Sequence, residues 1–275
     1  MGASMGHDRV VVITGASAGI GEALAREYAS RGARTALLAR RIERIAALAK
    51  ELGADRGRSL AVACDVTLDG ELEAAIDRVR SEFGRVDVVV ANAGFGVDGF
   101  LERLTVEDYR RQFETNVFGV IRTARAAIPS LVDSRGVLAV VGSVSGYIVQ
   151  PGGSAYAMSK FAVRALCDGA RAELAPRGVA VTHIAPGFVV SDIRRTDRQG
   201  RLHEEKADPV PTWIQMPAEK AARLMADAID RRAPELVLTG HGRFGVFMAR
   251  HAPSLVRGVM GLLARRGTLV KKSDP

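Results

Sequence analysis

The chain is 275 residues long, which suits one large α/β domain or two small ones, and its 47% hydrophobic and 25% charged residues can bury a sizeable core, so disorder, collagen and coiled coil are excluded. Only two cysteines occur, Cys64 and Cys167, with no CxxC and no Cys/His cluster; a disulfide scaffold and a metal site are excluded, and a reducing, cytoplasmic setting fits. The formal net charge of +8 raises nucleic acid as a partner, but aromatics are just 5% and no recognition motif accompanies the basic residues, so no nucleic acid is expected.

Residues 1–8 read as a flexible N-terminus. The first apolar run, 10–13, is too short for a secretory signal, and Gly6 stands where a myristoylation signal beginning at Gly2 needs Ser or Thr. That run is a β-branched strand, followed by a helix over 19–30, a strand over 35–39, a helix over 42–52, a strand over 59–64, a helix over 72–83 and a strand over 86–91. Helical stretches around 107–131, a strand over 136–142, a helix over 155–174 and a strand over 180–184 continue the alternation. Strands alternating with helices imply βαβ units and a parallel sheet covered on both faces, in line with apolar runs such as Val137-Leu138-Ala139-Val140-Val141. Over 191–216 the pattern weakens and Arg194, Arg195, Arg198, Arg201, Pro209 and Pro211 crowd together, which marks a substrate loop. A helix over 217–230 and a strand over 236–238 close a domain spanning 9–240, and 241–275 is a basic amphipathic extension. Nowhere do about 18 consecutive apolar residues occur, so no spanning helix is expected.

Between the first strand and first helix stands Thr14-Gly15-Ala16-Ser17-Ala18-Gly19-Ile20-Gly21. A phosphate needs backbone N–H donors and a positive helix end, and glycine because a Cβ blocks close approach, so this GxxxGxG spacing reads as a variant of the dinucleotide fingerprint. After the second strand, an acid would select NAD; the chain has Arg40-Arg41 instead. Either these hold the 2′-phosphate of NADP, or they flank a solvated helix start, where cations are unfavourable without an anion beside them. Tyr156 and Lys160, four residues apart, share a helix face, and an ammonium beside a phenol lowers its pKa and equips it to move a proton. Ser143 ends an apolar strand, where open parallel sheets place their ligands, and Ser145 competes with it for the role of donor to a reacting oxygen.

In order and approximate spacing, Thr14-Gly15-x-x-x-Gly19-x-Gly21, Asp65, Asn92-Ala93-Gly94, Asn116, Ser143, Tyr156-x-x-x-Lys160 and Pro186-Gly187 resemble the motifs of the short-chain dehydrogenase/reductase family over about residues 9–240. The resemblance implies a Rossmann-type, doubly wound parallel sheet in three layers and a single domain, beyond which the chain adds the C-terminal helical extension. It implies hydride transfer between NADP(H) and a carbonyl or secondary alcohol, often in a homodimer paired through the helices that here contain Asn116 and Tyr156. Tyr156 would act as acid or base and Ser143 as donor to the same oxygen. Lys160 would lower the Tyr156 pKa and hold the nicotinamide ribose, and Asn116, at a helix distortion, would hold a proton-relay water. Gly15, Ser17, Gly19, Ile20 and Gly21 would form the cofactor loop. Asp65, beside Val66, would hold the adenine amino group, or else cap the next helix. Asn92, Ala93 and Gly94 would border the cofactor, and Pro186, Gly187, Val189 and Ser191 would pass the nicotinamide. Many NADP-dependent members carry a basic residue inside the glycine loop; Ser17 and Ala18 occupy that region here, leaving Arg40 and Arg41 to bear the preference.

Phe95, Val149, Phe188 and Trp213, with Val97 and Ile214, lie on segments expected to edge the substrate pocket, and suggest an apolar or ring-bearing substrate; the arginines over 194–201 would instead suit an anionic handle. His183 reads as a buried strand histidine and Cys167 as an inert core residue. The alternative function is a non-catalytic NADPH-binding sensor or scaffold. The stripe Ala162, Leu166, Ala170 and Leu174 suits core or dimer interface. In the extension, apolar residues recur at three- and four-residue steps and Arg243, Arg250 and Arg257 every seven, with Pro253 breaking the stretch into two helices. Such an element packs on its own domain, lies on an anionic membrane through 243–266, docks on a partner, or closes over the pocket.

Overall fold

The computed structural model describes residues 8–197, 203, 205, 207, 208 and 210–265. The expectations for residues 1–7, for Arg198, Arg201 and Pro209, and for 266–275 lie outside the described residues.

The strands β1 (Val10–Thr14), β2 (Arg34–Ala39), β3 (Ser59–Ala63), β4 (Val88–Ala91), β5 (Val137–Val141), β6 (Ala180–Ala185) and β7 (Glu235–Val237) form one parallel sheet in the order β3-β2-β1-β4-β5-β6-β7. The helices are α1 (Gly19–Ser30), α2 (Ile42–Glu51), α3 (Glu71–Phe83), α4 (Val106–Phe113), α5 (Gly119–Ser134), α6 (Ser154–Leu174), α7 (Ala218–Asp230), α8 (Gly240–His251) and α9 (Pro253–Arg265).

Successive strand side chains face opposite ways, so a sheet covered on both faces needs apolar residues at every position. Val10 and Val12 of β1 join Leu138 and Val140 of β5 in a core built against α3, α5 and α6. Val11 and Ile13 join Val137 and Ala139 in a second core against α1, α2 and α7. These are the outer layers of a three-layer Rossmann-type fold. Each fully buried Val or Ile contributes about 1.5–3 kcal/mol against the chain entropy.

Three elements depart from the sequence reading. The strand expected from 86 runs from Val88; just before it the Asp87 N–H donates to the Val10 carbonyl at 3.0 Å, its carbonyl accepts the Val137 N–H at 2.9 Å, and its carboxylate accepts the Val10 N–H at 2.9 Å and pairs with Arg85. The helical stretch around 107–131 is three pieces. α4 opens on a capping box in which Thr105 and Asp108 bond each other's backbone N–H; a π-helical turn, Glu114–Phe118, follows, and then α5. The described part of the 191–216 stretch has single turns at Asp192–Arg195 and Thr212–Ile214, and a bridge between Val189 and Met216. In the extension, α8 and α9 are separated at Ala252, whose ψ of 56° is forced out of the helical region by Pro253.

Candidate active site

The chain runs from β1 to β2 and β3 on one side and returns to β4 on the other, making the C-terminal ends of β1 and β4 the switch point of the sheet, where open parallel sheets bind ligands. The glycine loop lies there. Gly15 and Gly19 have φ of +66° and +56°, a region that L side chains rarely enter, and a Cβ on Gly15 would stand 2.8 Å from Ala93 Cα. A Cβ on Gly21 would stand 2.3 Å from the Gly15 carbonyl oxygen, so Gly21 lets α1 pack onto its own loop. No side chain caps α1 at Ala18, and its first-turn N–H groups and positive dipole end suit a phosphate. Thr14 Oγ1 accepts the N–H groups of Asn92 and Ala93 at 3.0 and 3.1 Å, and Asn92 Nδ2 donates to the Thr14 carbonyl at 2.9 Å, which ties the ends of β1 and β4 together.

At the adenosine end expected from the sequence, Arg41 donates through Nε and Nη2 to Ser17 Oγ at 3.2 and 2.8 Å, and exposed Arg40 approaches Asp65 to 3.9 Å. Asp65 accepts from the Thr67 N–H and hydroxyl, whereas α3 is preceded by Gly70, so Asp65 orders a turn and is not the helix cap. A cavity of about 710 Å³ runs from Arg40, Arg41 and Asp65, along Gly15, Ser17, Gly19 and Ile20, to Ser143, Tyr156 and Lys160, and Val66, Gly94, Pro186, Gly187, Val189 and Ser191 also line it. A glycine cradle with cations at one end and Ser143, Tyr156 and Lys160 at the other fits a nicotinamide dinucleotide.

Tyr156 and Lys160 share one face of α6, with the ammonium 5.6 Å from the phenol ring centroid. The Ser143 hydroxyl, just after the end of β5, accepts the Ser145 N–H at 3.0 Å and lies beside the Tyr156 phenol, whose pKa it lowers. Burial pushes the Tyr156 phenol up to about 12, against a smaller lowering by Ser143. The Lys160 ammonium donates to the Val141 carbonyl at 2.9 Å, and burial pushes Lys160 itself down to about 8. Asn116 is fully buried in the π turn, behind the cavity wall. Its Nδ2 donates to the Phe95 carbonyl and Ser159 Oγ, at 3.0 and 3.2 Å, and its Oδ1 accepts the Phe95 N–H at 3.1 Å.

Phe95 and Phe188 line the cavity, whereas Val149 and Trp213 do not; Trp213 is 85% exposed, and Ile148 and Gln150 on either side of Val149 reach the cavity instead. Val97 is buried in a small core with Leu104 and Ala155. Of the loop arginines, Arg194 is engaged by Asp208, at 2.6–3.0 Å, and Arg195 lies 3.7 Å from Asp192. Sequence reading missed Gln112, which sits one turn before Asn116, donates to the Phe95 carbonyl at 2.8 Å and accepts the Val97 N–H at 2.7 Å. Its signal was a second amide four residues from the first on a buried helix face. Also missed were His241, whose Nε2 accepts the Phe188 N–H at 3.3 Å, and Met260 of α9, which lines the cavity.

A family model for short chain dehydrogenases matches residues 9–202. Dehydrogenase/reductase SDR family member 7B of Mus musculus is 30% identical over 279 residues, covering 97% of this chain and 84% of its own length. Among solved structures, an alcohol dehydrogenase of the archaeon Thermococcus sibiricus complexed with 5-hydroxy-NADP is 33% identical, with a TM-score of 0.74 over 84% of this chain and 96% of its own. A short chain dehydrogenase/reductase of Burkholderia phymatum in complex with NAD is 25% identical, with a TM-score of 0.76 over 98% of this chain and 97% of its own.

Proposed function

Because the chain belongs to the short-chain dehydrogenase/reductase family, we propose that it is an NADP(H)-dependent oxidoreductase acting on an apolar or ring-bearing carbonyl compound or secondary alcohol. The observation that carries this reading is one cavity with Ser143, Tyr156 and Lys160 at one end and Arg41, held on the glycine loop by Ser17, near the other.

When bound, the nicotinamide supplies or accepts the hydride. The glycine loop and the first turn of α1 hold the dinucleotide's phosphates, Arg41 and Arg40 its 2′-phosphate, and Asp65 its adenine. With the phenol's affinity for its proton raised to about 12, Tyr156 is protonated at neutral pH and serves as the acid in carbonyl reduction. Ser143 donates to the same substrate oxygen and orients the phenol. Lys160 holds the nicotinamide ribose and offsets negative charge on the tyrosine after proton transfer, and Asn116 and Gln112 hold the segment bearing Phe95 against the site. Phe95, Ile148, Phe188 and Ile193 favour an apolar substrate, and the engagement of Arg194 by Asp208 removes it as an anion handle. The proposed unit is a homodimer paired through α5 and α6.

The experiment is NADPH oxidation against a panel of aldehydes, ketones, quinones, steroids and acyl thioesters, followed by Tyr156→Phe on whichever compound turns over. Loss of about 10²- to 10⁴-fold in kcat with cofactor affinity nearly unchanged is expected. Full activity of Tyr156→Phe would overturn the assigned acid, and silence across the panel would favour a binding-only protein.

A further inference from the structure

Helix α9 has no buried residue, although Leu255, Val256, Val259, Met260, Leu262 and Leu263 make it strongly apolar. These split into two faces. Val256, Met260 and Leu263 are half-buried, and Met260 lines the active-site cavity. Leu255, Val259 and Leu262 recur at four- and three-residue steps on the other side and are 58%, 44% and 48% exposed. On α8, Phe244 and Phe247 are also exposed, so both helices present large apolar side chains to solvent.

The charge around these helices is of one sign. From 240 to 265 the chain carries Arg243, Arg250, Arg257 and Arg265 and no Asp or Glu, and the whole segment 240–275 holds +6 of the net +8. On α8, Arg243 and Arg250, the latter held by Glu235, stand one turn to either side of Phe247, and on α9 Arg265 stands one turn after Leu262, beside the exposed apolar face. Open apolar side chains flanked by cations match the headgroup boundary of an anionic bilayer. A second copy is a poorer occupant, because it would set arginine against arginine. No helix among the described residues is long and apolar enough to cross a membrane, so the element lies on the surface.

We propose that the outward faces of α8 and α9 dock on an anionic lipid surface, so that the cavity, lined by Met260 on the inner side of α9, receives its apolar substrate from the lipid. Docking stands on the exposed faces and the charge; the entry of substrate rests on the oxidoreductase reading.

The test is co-sedimentation of the full chain with vesicles of pure phosphatidylcholine and of mixed phosphatidylcholine and phosphatidylglycerol, at low and high salt. Binding is expected with the mixed vesicles at low salt and weaker binding at high salt. Two full-length variants should each bind at least about tenfold more weakly, Leu255→Ser/Val259→Ser/Leu262→Ser and Arg243→Glu/Arg265→Glu, at an unchanged melting temperature. Both should keep turnover of a water-soluble carbonyl while KM rises for a long-chain aldehyde dissolved in the mixed vesicles. Failure of the intact protein to bind at low salt, or undiminished binding by the triple-serine variant, would overturn the proposal. So would an intact dimer that the triple-serine change converts to monomers, since the face would then pair copies. Because sedimentation reads docking without turnover, a protein that binds vesicles but reduces nothing retains the docking surface and loses only the oxidoreductase reading.

Discussion

Arg41 and Arg40 follow each other in sequence but are held differently. Arg41 rests two guanidinium nitrogens on Ser17 Oγ, whereas the Arg40 side chain is 67% exposed and 3.9 Å from Asp65. A charge-assisted contact to phosphate is worth about 1.5–3 kcal/mol. NADPH is therefore expected to bind at least about tenfold more tightly than NADH, with most of the difference lost in Arg41→Ala and less in Arg40→Ala. Fluorescence titration of both cofactors checks this, and equal dissociation constants in the unmodified protein would sink it. Ser17 reads from sequence as the absence of the basic loop residue found in many NADP-dependent relatives. In the structure it is the hook that brings a basic side chain from the end of β2 onto the loop, a role visible only when the two segments meet.

Among the elements, the junction of β6, β7 and α8 is tied by a polar cluster within the apolar layers. His183 of β6 meets the Tyr147 hydroxyl at 3.3 Å; Tyr147 also bonds Glu235 of β7, which holds Arg250 of α8 at 2.8 Å. Burial pushes His183 down to about 4, against a smaller raising by Glu235. The unfolded chain, with an ordinary histidine near 6.5, therefore binds more protons between these values, and stability rises with pH across that window. Acidification from pH 6.5 through 4 is expected to cost about 3 kcal/mol at this residue, the loss levelling off about one pH unit below 4. Urea unfolding at several pH values tests this: His183→Gln should flatten the dependence, and an unchanged slope would assign the acid sensitivity elsewhere. The strand placing of His183 was legible from its apolar neighbours. Its partners, one on the turn after β5, one on β7 and one on α8, were not, because they are distant in sequence.

Over the whole molecule, the stripe on α6 resolves toward the core. Leu174 is buried, and Ala162, Leu166 and Ala170 are half-buried against the core, while Met158 and Phe161 of α6 and Phe118 just before α5 remain exposed. A homodimer paired through α5 and α6 is expected to use those open side chains. Light scattering at micromolar concentration should report two subunits, and Met158→Glu/Phe161→Glu should report one; a monomeric parent protein would retire the dimer. By itself the sequence determined the alternation of strands and helices, the parallel sheet, the glycine loop and the pairing of Tyr156 with Lys160 on one helix face, because these rest on local period, on glycine's conformational range and on residues one helix turn apart. Tertiary structure decided that Arg41 lies on Ser17, that Gln112 joins Asn116 in holding the Phe95 segment, that Ile148 and Met260 line the cavity while Val149 and Trp213 do not, and that burial raises the Tyr156 phenol. Each of these depends on which distant segments are packed together and on how much water that packing removes, and neither quantity is local to the chain.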